Sequence, residues 1–545
     1  MAKFTTFSDF SVLSATIYDQ TVKASNNFYF YIGKPTPWTE DLSPEELPDN
    51  RDAQTAIWRN MMAIKRVSGV DVVRSFFKSD WQVGAVYDEY RHNYSPTNLA
   101  PSGADRLRYA KHYTINTSKQ VFRCIYNNEN SASTTMPYVI SESTTDIFET
   151  ADGYRWKYLF TLDAALLEKF TSPLYYAFPA SENMTVKATA IPGGIHNIAI
   201  KNRGSGFPVS QNIPVFVDGD GVLNASAMAT IGISGTGEIL STSLIDGGSS
   251  YEPLATFAVN FLQPTTNGNI KGGYGLATTN ALGQIESIQV VIRGSGYLNS
   301  LPIRIVESTC KPVVTTDASG QLLKVIVYNG KEGYNFGRAT AVVVSATGVG
   351  YNLEPVISPV GGHGAFQDFD VGAYNVLMNV RLFATDDEFP LDNDFRSFGI
   401  IASPMKFNEF YQVVPFTAEL GSGLTEITPS SVSEVVGQFE VDDKLYGLTS
   451  GAMATIVSVQ RNPLDNTVEK LFVLRTEQDN EFNYYPASMG FGEAVTSSSG
   501  ASAVVADMTL PDFIKGLGVV IYGENRIAIK RNVAQSESIT ISIEL

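Results

Sequence analysis

One short motif recurs through the middle of the chain and restricts its fold more than any other feature. Arg203-Gly-Ser-Gly-Phe207, Gly247-Gly-Ser-Ser-Tyr251, Arg293-Gly-Ser-Gly-Tyr297, Lys331-Glu-Gly-Tyr334 and Gly348-Val-Gly-Tyr351 each set an aromatic behind a glycine turn. Alternating apolar residues precede three of them: His196/Ile198/Ile200, Ile288/Val290/Ile292 and Leu323/Val325/Val327. A period of two puts one apolar face inward on a strand. A second strand, Ile213/Val215/Val217 or Ile303/Ile305, follows two of them beside a proline. The unit is therefore strand, glycine turn, aromatic plug, strand. The glycines are expected to supply positive φ, and the aromatic to cap the end of a small sheet. Stacked units and small closed barrels both satisfy this pattern.

Composition divides the chain around that region. Of the 45 Gly, 27 lie between Pro192 and Gln367, whereas all four Trp (Trp38, Trp58, Trp81, Trp156) precede residue 157. A Ser/Gly-rich stretch carries a weaker pair, Leu448-Thr-Ser-Gly-Ala452 and Ser498-Ser-Gly-Ala501. The reading is a discontinuous core, 1–185, 368–418 and 511–545, interrupted by β insertions at 192–367 and 419–510. Fold class is mainly β with some α: a layered β-sandwich core with helical excursions and small Gly-rich β-domains.

Within the core, Phe28–Ile32 reads as a strand ending at Gly33. Asp49/Asn50 offer an N-cap, and Ile57, Met61, Ile64 and Val67 predict an amphipathic helix over 51–68. A second short helix is predicted over 70–78. Strands are expected at 112–115, 120–126 and 154–162, with Asp152-Gly153 as a tight turn and a helix over 164–170.

The charge balance, 39 basic against 56 acidic residues for a net −17, disfavours a nucleic-acid binder, which needs clustered cations. Two cysteines, Cys124 and Cys310, cannot form a disulfide framework and point to a reducing compartment. The segment from Met1 to Thr16 lacks the apolar run of a signal peptide, and no stretch has the length of a membrane span. A soluble, cytosolic chain is expected, with no nucleic-acid and no membrane partner.

Catalytic signatures are sparse. The four histidines, His92, His112, His196 and His363, are far apart in sequence, so each reads as a surface or hydrogen-bonding residue, and no metal is expected. The Gly-x-Gly pairs lack the third glycine of a dinucleotide fingerprint. Asp218-Gly-Asp220-Gly221 lacks the remaining ligands of a calcium loop and reads as a hairpin turn. Asp386-Asp-Glu388 and Asp442-Asp443 are candidates for paired glycosidase carboxylates but sit in polar loops. Cys124, in an apolar strand, reads as buried filler. No catalytic, cofactor-binding or metal-ligating residue is assigned, and the chain is read as not an enzyme.

A family resemblance supplies what the chemistry does not. Asn27-Phe-Tyr-Phe-Tyr-Ile-Gly-Lys-Pro-Thr-Pro-Trp38 is followed in order by Trp58-Arg-Asn-Met-Met62, Ser79-Asp-Trp81, Val121-Phe-Arg-Cys124 and Asp152-Gly-Tyr-Arg-Trp-Lys-Tyr-Leu-Phe160. Phe395-Arg-Ser-Phe-Gly-Ile-Ile-Ala-Ser-Pro404, Gly518-Val-Val-Ile-Tyr-Gly-Glu-Asn-Arg526, Gln535 and Ile539–Ile543 complete the series. Together these resemble the baseplate wedge subunits of T-even-like contractile-tailed bacteriophages, the gene-eight product family. The resemblance implies a virion structural protein of the tail baseplate. It would form a homodimer within each wedge, hold other wedge proteins, and take part in assembly and in the switch that triggers contraction. The insertions are the candidates for contacts with tail fibres or neighbouring wedges. Trp58 and Trp156 are expected in the core, Trp38 at an interface or a loop, and Arg526 beside a carboxylate. The alternative is a receptor- or carbohydrate-binding tail protein. That alternative requires Phe207, Tyr251 and Tyr297 to be exposed, whereas the wedge reading requires them buried.

Overall fold

The computed structural model describes residues 16, 18–19, 27–141, 146–219, 224–235, 239–246, 254–263, 272–298, 303–307, 312–327, 339–383, 393–430, 435–475, 482, 492–532 and 535–544. Strands hold 47% of the chain and helices 8%, which makes the fold mainly β with some α. Two compact units result. One is built from Phe76–Leu167 and Pro173–Ala373, and the other from 27–75, Glu168–Ser172 and the chain beyond Tyr374.

In the second unit, Phe28–Gly33 lies between Met61–Arg66 and Asn393–Ala402, and Val519–Arg531 closes one edge of the sheet. A second sheet places Asn375–Leu382 between Glu537–Ile543 and Val72–Phe77. Phe30, Ile32, Met62, Phe398 and Ile400 of the first meet Val72, Val376, Met378, Val380 and Ile541 of the second in one core. This is a sandwich. The opposite face of the first sheet is covered by the helix Arg51–Asn60, through Ile57 and Trp58 against Tyr29, Tyr31, Met61 and Ile64.

That helix begins as the sequence predicts, with the Asn50 side chain accepting from Ala53 N–H at 2.8 Å. It stops at Asn60, not at 68, because Met61–Arg66 is a strand. The apolar spacing misleads here: Met61 and Ile64 pack on one core while Met62, Ala63 and Val67 pack on the other. A strand buried on both faces has no period of two to reveal it. The helix predicted over 70–78 is likewise a strand, Val72–Phe77, after a single 3₁₀ turn at Gly69–Asp71. Its β-branched and aromatic residues fit a half-buried pleated surface better than a helix. Gly33 is fixed by crowding, since a Cβ there would lie 2.6 Å from the Asn60 carbonyl oxygen.

The stretch from Thr425 to Thr509 closes into a six-stranded barrel in the same unit. Both Ser-Gly-Ala motifs are its hairpin turns, with Gly451 at φ 71° and Gly500 at φ 92°, and Ala452 and Ala501 are buried behind them.

The first unit contains a four-stranded antiparallel sheet ordered Tyr113–Ile115, Gln120–Tyr126, Arg155–Thr161, Ile147–Glu149. Three of these strands and the short helix Ala164–Lys169 lie where the sequence predicts them, whereas the edge strand Ile147–Glu149 is not predicted. A long hairpin, Ile195–Ser205 against Val349–Ile357, brackets two further sheets. The smaller is ordered Leu322–Ile326, Val313–Thr316, Asn212–Gly219, Ala339–Val343. The larger, nested in sequence inside it, has six strands between Asn224 and Glu307.

Each sheet has its own core, and an aromatic of the repeat enters each of them. Gly204 and Gly206 have φ of 60° and 79°, and Gly294 and Gly296 have 59° and 82°. The two motifs therefore trace the same path. Phe207 enters the smaller core and packs edge-on against Tyr351 at 5.6 Å. Tyr297 enters the larger core, donating to the Phe261 carbonyl at 2.9 Å and accepting from Gly273 N–H at 2.7 Å. Tyr251 and Tyr334 lie outside the described residues. One strand departs from its predicted facing: Leu322 is buried and Leu323 is half exposed, because the pairing shifts between Thr315 and Thr316.

Candidate interaction surfaces and a buried basic cluster

The residues singled out in the sequence scatter once folded. Asp443 is a turn cap: Ser498 and Ser499 hydroxyls donate to its carboxylate, and against the penalty of burial they hold it below the usual range. Its neighbour Asp442 sits at φ 73°, with its carboxyl raised by burial. Asp386–Glu388, Cys310, Asp220 and Gly221 lie outside the described residues. Cys124 is a fully buried thiol in Gln120–Tyr126, raised far above its ordinary pKa by burial. Trp58 and Trp156 are core residues. Trp38 donates its indole N–H to the Arg526 carbonyl at 3.0 Å, under the Lys34 ammonium. Its own N–H binds Asp41, which is paired with the buried Arg396. Arg526 pairs locally with Glu524 at 2.6 Å.

The histidines correct the sequence reading most. His92 is exposed, but His112, His196 and His363 are buried and converge in the first unit. The cause is strand alternation. Along 154–158, Tyr154, Trp156 and Tyr158 face one core, while Arg155 and Lys157 turn to the other side. Arg123 is the cross-strand neighbour of Lys157, and its guanidinium forms a buried ion pair with Asp370 while lying 4.3 Å over the Tyr90 ring. Arg155 donates to the carbonyls of His196, at 3.1 Å, and Val327, at 2.6 Å.

His363 stands edge-on to Tyr90 at 4.9 Å and lies 5.5 Å from the His196 ring. His112 places Nδ1 2.9 Å from the Ala110 carbonyl and Nε2 3.1 Å from that of Asp370. Burial first, then Arg123, pushes His112 down to about 3. Burial, Lys157 and Arg155 push His196 to about 4, and His363 is depressed well below its ordinary value. Burial also lowers Lys157 to about 8. All three imidazoles are therefore neutral near pH 7, and the Asp370 carboxylate that pairs with Arg123 also accepts from Gly364 N–H at 2.6 Å. The arrangement is a polar core; nothing in the spacing of four distant histidines signals it.

The second unit displays a different kind of feature. Met405–Phe407 and Val413–Pro415 form a hairpin whose turn is fixed by Asn408. The Asn408 side chain accepts from Phe410 N–H and Gln412 N–H, both at 2.9 Å. Phe410 and Tyr411 are nevertheless 74% and 87% exposed, with Phe407 and Val413 about half exposed beside them. At its base Phe416 is buried against Tyr29 and Phe513. Next to the tip lies a hollow of about 360 Å³, walled by Phe407, Tyr411, Leu510 and Phe513 and rimmed by Arg59, Arg475 and Lys515. The Lys515 ammonium, on a partly exposed side chain, donates to the Arg59 carbonyl at 3.2 Å. It is pushed down to about 7, first by burial and then by Arg475. A rigid aromatic tip beside a cation-rimmed hollow suits the capture of a protein surface, because ordered aromatics bury large area at low entropic cost.

No helix among the described residues is long and apolar enough to cross a membrane, and no group of three candidate metal ligands is found among them. Comparison with models of known families and with curated protein sequences finds no match.

Proposed function

We propose that this protein is a structural component of a contractile-tailed phage baseplate wedge. It would hold neighbouring wedge subunits and take part in assembly and in the switch to contraction. One observation carries the reading. Three of the stretches that resemble the gene-eight product family, 28–33, 395–402 and 519–526, are widely separated in sequence yet are hydrogen-bonded neighbours in one sheet. They form a single scaffold, which scattered chance similarities have no reason to do. The exposed hairpin follows directly from that sheet, since its strand Met405–Phe407 begins three residues after Ala402. Two of the three rings that the glycan-binding alternative needs on the surface are buried, Phe207 at 4% and Tyr297 at 1% exposed, which favours the wedge reading.

The hairpin provides the test. A Phe410→Ser, Tyr411→Ser chain is expected to melt within about 1 °C of wild type, since both residues already face solvent. In particles produced with it, incorporation into purified tails is expected to fall at least roughly tenfold, the loss of an aromatic hot spot. Wild-type chain missing from tails would refute the structural role. Normal incorporation of the folded variant would refute the part given to the hairpin.

A further inference from the structure

The first unit carries a cleft of about 490 Å³ between the segments 90–107 and 359–370. Its size falls in the range of small-ligand and side-chain sockets. Tyr94, Leu107, Val360, Phe366 and Phe369 supply apolar and aromatic walls, and Tyr90, Arg123 and Asp370 supply polar groups. Those three are 4%, 1% and 2% exposed, so the polar part of the site is built into the fold. Tyr90 is held on two sides, by the Arg123 guanidinium over its face and by the His363 ring at its edge. No hydrogen bond to its hydroxyl is found among the described residues, and that hydroxyl is not one of the sealed polar atoms, so it stays available to an occupant of the cleft.

Charge narrows the occupant. Arg123 is paired with Asp370 and Arg91 with Glu89 at 2.6 Å, so the cleft offers no net field for a phosphate or a divalent cation. His92, at the mouth, accepts from Ile357 N–H through Nδ1 at 3.2 Å. Its neutral ring therefore carries its proton on Nε2, a donor suited to a carbonyl oxygen. Two of the apolar walls also form an exposed rim, with Val360 88% and Phe366 44% exposed. An occupant that fills only the cavity would leave this rim uncovered, whereas a polypeptide would cover it.

We propose that this cleft receives a tyrosyl side chain of a partner polypeptide. The ring lies among Tyr94, Leu107 and Phe369, its hydroxyl meets Tyr90, and a backbone carbonyl meets His92 Nε2–H. This assignment is independent of the tail reading, because the probe below reports binding to the isolated chain.

The probe is N-acetyl-3-fluoro-L-tyrosinamide, followed by ¹⁹F line broadening on the full chain. Saturable broadening competed by N-acetyl-L-tyrosinamide is expected. Tyr90→Phe is expected to weaken the fluorotyrosine probe about fivefold, the loss of one hydrogen bond, and to leave N-acetyl-L-phenylalaninamide unchanged. Leu107→Arg, checked for wild-type melting, is expected to abolish binding. Absence of saturable broadening with wild type would overturn the site. Equal effects of Tyr90→Phe on both amides would overturn the role of the hydroxyl. Tighter binding of 4-hydroxybenzoate, which has no backbone carbonyl, would overturn the polypeptide assignment.

Discussion

Replacing Asp370 by alanine is expected to cost the first unit about 3–5 kcal/mol, the penalty of leaving a buried cation uncompensated. Asp370 is the carboxylate paired with Arg123, and the surrounding buried groups are Lys157 and three neutral imidazoles. Arg123 is 1% exposed, so water entering from the adjoining cleft replaces the lost partner only in part. Gly364 N–H would also lose its acceptor. Asp370→Asn keeps an acceptor and is expected to cost about half as much. Adding Arg123→Met to Asp370→Ala is expected to recover most of the loss, because an apolar replacement for a buried ion pair is often neutral. With two units, global unfolding is not a single transition, so the measurement is hydrogen exchange of peptides spanning 120–126 and 155–161. Unchanged protection in Asp370→Ala would show that the pair is not structural.

Acidification is expected to destabilise the same unit in a window that carboxylates cannot explain. In the unfolded chain the histidines titrate near the ordinary 6.5, whereas folded His112 and His196 do so at about 3 and about 4, with His363 also far below. The unfolded state therefore binds up to three more protons as pH falls below 6.5. Stability contributed by the neutral imidazoles is complete above that pH and declines beneath it. At about 1.4 kcal/mol per proton per pH unit, moving from 6.5 to 5 costs about 5 kcal/mol. Asp152, held below the ordinary 3.8, loses its contribution only in more acid solution. Lys157, lowered to about 8, is charged throughout this range and adds no slope to it. Stability of the first unit, followed by the same exchange peptides, should fall by only about 1 kcal/mol from pH 7.5 to 6.5 and steeply below that. Replacing His363 by glutamine should reduce that slope by about one third. A flat profile down to pH 4.5 would contradict the neutral-histidine core.

The sequence revealed whichever part of this fold is local. The glycine turns were visible because a positive φ followed by an aromatic plug is written in adjacent residues, as the matching Gly204/Gly206 and Gly294/Gly296 pairs show. The strand 120–126 was visible as an apolar run, and 155–161 as the stretch that follows the tight turn Asp152-Gly153. Met61–Arg66 was misread because a strand buried on both faces imitates helical spacing, and Val72–Phe77 because its β-branched and aromatic residues were weighed less than their spacing. The buried basic cluster was invisible for a different reason. It is assembled from residues 112, 123, 157, 196, 363 and 370, and only pairing between distant strands brings them together. A sharper reading of Tyr154–Tyr158 would have asked where a strand with one fully aromatic face sends Arg155 and Lys157. The exposed hairpin was hidden for a third reason: Phe407, Phe410 and Tyr411 read like any aromatic strand until their exposure is known.

The central claim is most directly tested by imaging purified particles at residue resolution and tracing this chain. The account predicts its density in the baseplate wedge around the central hub, with the 405–415 hairpin seated on a neighbouring subunit. Density in the neck, the capsid or a fibre tip would contradict it.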